Sequence, residues 1–183
     1  MPVQIGAKQE SGPDDPIGWL SDCHRRIERF LSVLVTVTEQ ARGSVLTEPE
    51  RIAFENALRY FRDAAPKHTA DEEESLFPRL RRIDAAGLHE ALDLVTGLEE
   101  DHRTAEAKHA EVDRLGIQWL AGGHFGEEQA ARLAELLKGL AQMYAQHIDI
   151  EDNQVFPAAK RLLPDAERIA AGREMAARRG NGG

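Results

Sequence analysis

The chain has 183 residues, a formal net charge of -9, 42% hydrophobic and 30% charged residues, and one cysteine. That length fits one domain with a filled core, and the acidic balance speaks against nucleic acid, whose binding rests on neutralising phosphates. No apolar run nears the roughly 18 residues of a membrane span, no basic-then-apolar secretory start is present, and the lone Cys23 excludes an internal disulfide. Together these predict a cytoplasmic protein with no membrane partner.

Residues 1–13 carry no periodic apolar pattern and predict a flexible tail. A first helix is expected from Asp14, Asp15 and Pro16, a capping acid followed by a first-turn proline. Leu20, Ile27, Leu31, Leu34 and Val37 recur at helical spacing, and Gly43 closes the segment. Thr47 with Glu50 reads as a capping box opening a second helix through Phe54, Leu58 and Phe61. Pro66 should loosen that helix, and Pro78 should break or bend it. Gly87 marks a turn, a third helix spans about residues 88–120, and Gly122 with Gly123 breaks it. A fourth helix starts near Glu127 and carries Leu133, Leu136, Leu137, Leu140 and Tyr144. Pro164 and Asp165 open a short last helix, with RRGNGG fraying at its end. No stretch alternates with period two, so the fold class is all-α: a bundle over 14–163 and a short helix and tail over 164–183.

One pattern occurs twice. His68-Thr-Ala-Asp-Glu72 leads to Leu-Phe-Pro78, and His147-Ile-Asp-Ile-Glu151 leads to Val-Phe-Pro157. In an α-helix, positions i and i+4 share a face, so each pair forms a His–carboxylate pincer. Short connections make consecutive helices antiparallel neighbours. His24 lies 19 residues before Gly43 and His68 lies 25 after it; His102 lies 20 before Gly122 and His147 lies 25 after it. Around Gly87, His68 and His102 stand at 19 and 15 residues. These mismatches of four to six residues amount to roughly 6–9 Å of helical rise, which loop residues can absorb. The spacing therefore permits His24, His68, His102 and His147 to meet in one layer. The halves also repeat, at an offset of 78 from His24 to His102 and 79 from His68 to His147. Such groups on inward faces would be left unpaired at roughly 1–3 kcal/mol each, and a metal removes that penalty. Imidazole and carboxylate donors accept iron, zinc or manganese alike.

The order His24, His68-x-x-x-Glu72, His102, His147-x-x-x-Glu151, with the Phe-Pro stops and the tail IAAGREMAARR, resembles the hemerythrin-like, or HHE cation-binding, family over roughly residues 14–179. The resemblance implies an up-and-down antiparallel four-helix bundle around two iron ions, a di-iron centre. Glu72 and Glu151 would bridge the ions, and the four histidines would be terminal ligands. Two departures stand out. Oxygen-carrying members have a second histidine on helix three where this chain has Glu106. They also take an Asp five residues after the helix-four histidine, and Asp152 stands there beside Glu151; the internal repeat favours Glu151. With fewer histidines, the pattern resembles the bacterial branch of stress-response and iron-centre-repair proteins more than the carriers.

Glu28 and Glu106 follow His24 and His102 by four residues and read as solvated, ion-paired or outer contacts of the site. Glu73 and Asp152 would face solvent or orient ligands, and the Tyr144 hydroxyl could reach the site from one turn before His147. His109 stands roughly 10 Å along the helix from His102 and shares no metal with it. His89 and His124 read as surface residues, and Cys23 as a small core side chain.

The function this supports is a non-haem di-iron protein that binds O₂, NO or peroxide, in oxygen or nitrosative stress response or sensing, with an unidentified redox partner. Against it stand a redox enzyme that breaks down peroxide or repairs iron centres, iron sensing or storage, and a bundle that metal merely stabilises. Ferritin-like storage places Glu-x-x-His on two helices; here Glu99-x-x-His102 and Glu106-x-x-His109 share one.

Overall fold

The computed structural model describes residues 10–83 and 89–180, with side chains from 84 to 92 left undescribed. The expected turn at Gly87, the surface placement of His89 and the ends 1–9 and 181–183 lie outside the described residues.

Helix α1 (Pro16–Ala41) begins where Asp15 accepts a hydrogen bond from the Gly18 amide at 3.0 Å and Pro16 occupies the first turn. It ends on Arg42 and Gly43, at φ 47° and 82°, a left-handed stop that suits glycine. Helix α2 (Glu48–Asp63) opens with the expected capping box: the Thr47 amide donates to Glu50 Oε2 at 2.8 Å. Pro66 lacks an amide hydrogen, and the chain is interrupted at Ala64 before α3 (Ala65–Ala70). A π-helical turn, π1 (Asp71–Leu76), and the short α4 (Phe77–Leu80) complete this second rod. Helix α5 (His89–Gly122) is the third rod, and Gly123 at φ 69° ends it. The fourth is α6 (Glu127–Ile150), a second π turn, π2 (Glu151–Val155), and α7 (Phe156–Leu162). Helix α8 (Asp165–Gly180) follows.

The rods close a ring in which α1 and α5 each pack against α2 and α6, and no strand occurs among the described residues. The all-α bundle expected from the periodicity is what the chain forms. Gly116 lets α5 approach α2: a Cβ there would lie 2.6 Å from Leu58 Cδ1.

Two apolar clusters fill the ring. One contains Ile27, Leu34, Phe54, Leu58, Trp119 and Leu133; the other contains Leu20, Leu76, Phe77, Leu98, Val155 and Phe156. Every rod crosses from one cluster to the other, and at that level each carries a buried polar side chain: His24 after Leu20, His68 after Ala65, His102 after Leu98, His147 before Ile148. A polar layer thus divides an otherwise apolar core.

Three local expectations are corrected. The two pincers are not set on uniform α-helix, because the helix widens to π at Glu72 and Glu151. In each, the amide before the proline closes an i→i+5 bond on the glutamate, Phe77 to the Glu72 carbonyl and Phe156 to the Glu151 carbonyl. A proline six residues after each glutamate has no amide to continue the α pattern and its ring crowds the preceding turn. A wider turn relieves that crowding, and such turns recur at functional sites. Second, Glu10 and Ser11 are held rather than loose: the Ser11 amide donates to Asp22 Oδ2 at 2.7 Å and Arg26 pairs with Glu10 at 2.6 Å. Third, Arg178 and Arg179 stay helical instead of fraying, because both reach Asp71, fully buried in π1, at 2.9 and 2.5 Å.

Candidate metal centre

Six side chains converge on the polar layer. Histidine 24 comes from α1, His68 from α3, Glu72 from π1, His102 from α5, His147 from α6 and Glu151 from π2. Both glutamates are 0% exposed and none of the four imidazoles exceeds 8%. Their donor atoms form two groups, His24, His68, Glu72 and Glu151, and His102, His147, Glu72 and Glu151, with all ligand atoms of a group within 4.8 Å of one another. The two glutamates belong to both groups.

The distances carry the chemistry. In the first group, His24 Nε2 lies 3.0 Å from Glu151 Oε2 and 3.7 Å from Glu72 Oε1, and His68 Nε2 lies 3.3 Å from Glu72 Oε1. In the second, His102 Nε2 lies 3.1 Å from His147 Nε2 and 3.3 Å from Glu72 Oε2, and His147 Nε2 lies 3.2 Å from Glu151 Oε2. Ligands about 2.0–2.1 Å from a cation and at right angles stand about 3 Å apart. Apart from the His102–His147 contact, the close approach is not hydrogen bonding: among the described residues, His24 Nε2 and both carboxylate oxygens of Glu72 and of Glu151 are buried with no hydrogen-bond partner. Buried donor atoms clustered within 4.8 Å and left without partners are what a cation would satisfy. The donor set therefore fits a metal, with oxygen and nitrogen ligands suited to iron, manganese or zinc.

Outer contacts hold three of the imidazoles. His24 Nδ1 donates to Asp152 Oδ1 at 3.1 Å, which also accepts from the Ser21 hydroxyl at 2.8 Å. His102 Nδ1 donates to Glu73 Oε1 at 2.8 Å, and His147 Nδ1 to Asp101 Oδ2 at 3.3 Å. A carboxylate on the far nitrogen fixes the tautomer and directs Nε2 inward. The phenylalanines of the two Phe-Pro stops also serve the site. Phe156 stacks on the His24 ring at 5.2 Å and Phe77 on the His102 ring at 6.5 Å, each reaching across to the other half.

Electrostatics follow from this crowding. Burial alone would lower every imidazole. For His102, the facing Glu72 carboxylate and the Nδ1 hydrogen bond to Glu73 outweigh burial and hold it at about 9. His24 is raised well above its ordinary value by Asp152, Glu151 and Glu72 against the pull of burial, and His147 is raised through Glu151. Burial wins at His68, which falls to about 4. Glu72 is held well below the usual carboxylate range because the close imidazoles of His68, His102 and His24 overcome its desolvation.

Other expectations land elsewhere. Asp152 and Glu73 contact ligand imidazoles and do not enter the donor groups. Glu28 and Glu106 are exposed and lie in neither group, and His124 is exposed. The Tyr144 hydroxyl meets His109 Nε2 at 3.1 Å. Its ring stands 6.4 Å from that of His147 and lines a water-sized void of about 10 Å³ beside His24, His68, His102 and His147. Burial raises its phenol, so it stays protonated. Sequence reasoning missed Asp101 and the stacking role of Phe77 and Phe156. For Asp101 the signal was an acid directly before a candidate ligand histidine. For the phenylalanines it was their recurrence at one place in both repeats.

Comparison with known proteins agrees with this geometry. An uncharacterized protein of Haemophilus influenzae is 26% identical over 166 residues, covering 91% of each chain. A family model described as the hemerythrin HHE cation binding domain matches residues 15–159. With that match spanning most of the chain and a His/Glu cluster buried within it, the protein is a helical metal-binding protein of the hemerythrin HHE cation-binding domain family.

Proposed function

We propose that this chain is a non-haem di-iron protein of the cytoplasm that binds O₂, NO or peroxide, acting in the response to oxygen or nitrosative stress or in sensing it. The observation that carries the reading is that Glu72 and Glu151 belong to both donor groups. Two ions would share these carboxylates, with His24 and His68 holding one and His102 and His147 the other. Iron held there would supply reversible redox chemistry, and two imidazoles with the shared Glu72 and Glu151 would leave it coordination positions for a small molecule.

The protein's own residues favour a very small ligand. Ile27, Ala65, Ile148 and Tyr144 wall the void at the imidazoles, which is about 10 Å³ and so near the size of one water. A wider cavity of about 540 Å³ shares Ala65, Thr69, His102 and Tyr144 with it and offers an approach from solvent. The apolar walls exclude bulk water. A second reading is peroxide breakdown, with Tyr144, whose ring lines the void while its hydroxyl meets His109 Nε2, as a candidate proton donor.

The test is anaerobic Fe(II) loading, with two irons per chain expected, followed by O₂ or NO. New visible bands are expected, and they should vanish in His68→Ala. A fully loaded protein that shows no spectral change would refute small-molecule binding. Peroxide turnover by wild type that drops in Tyr144→Phe would favour the second reading.

A further inference from the structure

The two halves repeat, yet their outer contacts do not match. Asp152 and Glu73 are equivalent: each follows a ligand-group glutamate and each grips the first histidine of the other half, at 3.1 and 2.8 Å. Asp101, which directly precedes His102, grips His147 at 3.3 Å. The equivalent position in the first half directly precedes His24 and holds Cys23. The Cys23 sulfur is engaged by Arg26 at 2.9 Å and lies 3.8 Å from Arg179. His68, equivalent to His147, is 4% exposed, and its Nδ1 is buried with no hydrogen-bond partner among the described residues. Three imidazoles are anchored and aimed by a carboxylate; the fourth is not.

An outer carboxylate selects the tautomer that presents Nε2, limits ring rotation and increases ligand basicity, and losing one costs roughly 10–100-fold in metal affinity. The His102–His147 position has two such anchors, and the His24–His68 position has one. Resting on the di-metal reading, we propose that the centre is unequal: His102 and His147 hold a tight ion, and His24 and His68 hold a weaker, exchangeable one. The cause is the presence of Asp101 in one half and Cys23 in the other. Asp101 is then a positioning residue, acting through His147. The half-loaded protein carries its ion at His102 and His147, and replacing the weaker ion gives a mixed-metal centre.

Repulsion between two cations would separate the binding steps even for identical positions, so the decisive readout is which half keeps the tight ion. Metal-free protein is titrated with Zn(II) against a chromophoric chelator. Wild type should show a tight step and one about 10–100-fold weaker. His68→Ala should keep the tight step, and His147→Ala should lose it. Asp101→Ala should weaken the tight step by about 10–100-fold, with part of the loss recovered in Asp101→Glu, a rescue that a merely structural role would not give. The Asp101 side chain is 40% exposed, so its removal leaves the core in place. A tight step that survives in His147→Ala, or that is untouched in Asp101→Ala, overturns the inequality. Uptake of fewer than two ions by wild type overturns the di-metal reading itself, a separate result.

Discussion

Glutamate 72 shows at the scale of one residue why the layer is hard to explain without a cation. It is 0% exposed, its two oxygens lack hydrogen-bond partners, and three imidazoles surround it. An unpaired buried carboxylate is a large cost, and imidazolium charges offset it only in the metal-free protein. Glu72→Gln keeps the volume and removes the charge that both donor groups share. Metal affinity should fall by more than the roughly 10–100-fold that loss of an outer contact costs, read by chelator competition, while the helical circular dichroism persists. Retention of two ions by Glu72→Gln would contradict the role of this carboxylate.

Helix α8 matters at the scale of the element because it reaches the π turn that presents Glu72. Arg178 and Arg179 bracket Asp71, the residue before it, and Arg178 also meets Glu74 at 3.0 Å and the Ser75 hydroxyl at 2.9 Å. Gly172 allows this docking, since a Cβ there would lie 1.9 Å from the Pro13 carbonyl oxygen. Removing one side of a buried ion pair strands the other charge at about 3–5 kcal/mol. The double variant Arg178→Ala, Arg179→Ala should therefore lose about that much stability in urea denaturation, and adding Asp71→Asn should restore part of it. An unchanged midpoint would mean that α8 is a passive appendage.

For the whole molecule, a metal bound at this layer would compete with protons for the same side chains. The folded-state values of His24, His102 and His147 are raised, His102 from 6.5 to about 9. Their contribution to metal-free stability is complete below about 6.5 and is lost as pH rises through their raised folded-state values, which for His102 is about 9. Depressed groups run the other way. His68 costs stability as pH falls from 6.5 towards about 4, and Glu72 contributes above its ordinary 4.5 and loses that as pH falls through its lower folded value. Metal requires neutral imidazoles, so loading strengthens over the same rise in pH that weakens the metal-free fold. The gap in Tm between loaded and metal-free protein should widen from pH 6.5 to 9 in thermal unfolding. A gap that narrows would contradict the raised imidazoles.

By itself the sequence determined the rods, their ends and the candidate ligand types, because these rest on local causes: apolar periodicity, the Thr47–Glu50 cap, the prolines, and the recurrence of His and Glu at fixed spacing. The fold class and the hemerythrin-type pattern were legible for that reason. Glu151 and Asp152 stayed ambiguous along the chain, since neighbours in a helix differ by about 100° in direction and only the facing rods say which direction is inward. Tertiary structure decided that Glu151 points into the layer and Asp152 across to His24. It also decided that Asp101 serves His147, that Phe77 and Phe156 cover the opposite half's imidazoles, and that α8 clamps Asp71. Each of these is a contact between residues far apart in sequence, set by the packing of whole rods, and no local propensity encodes it.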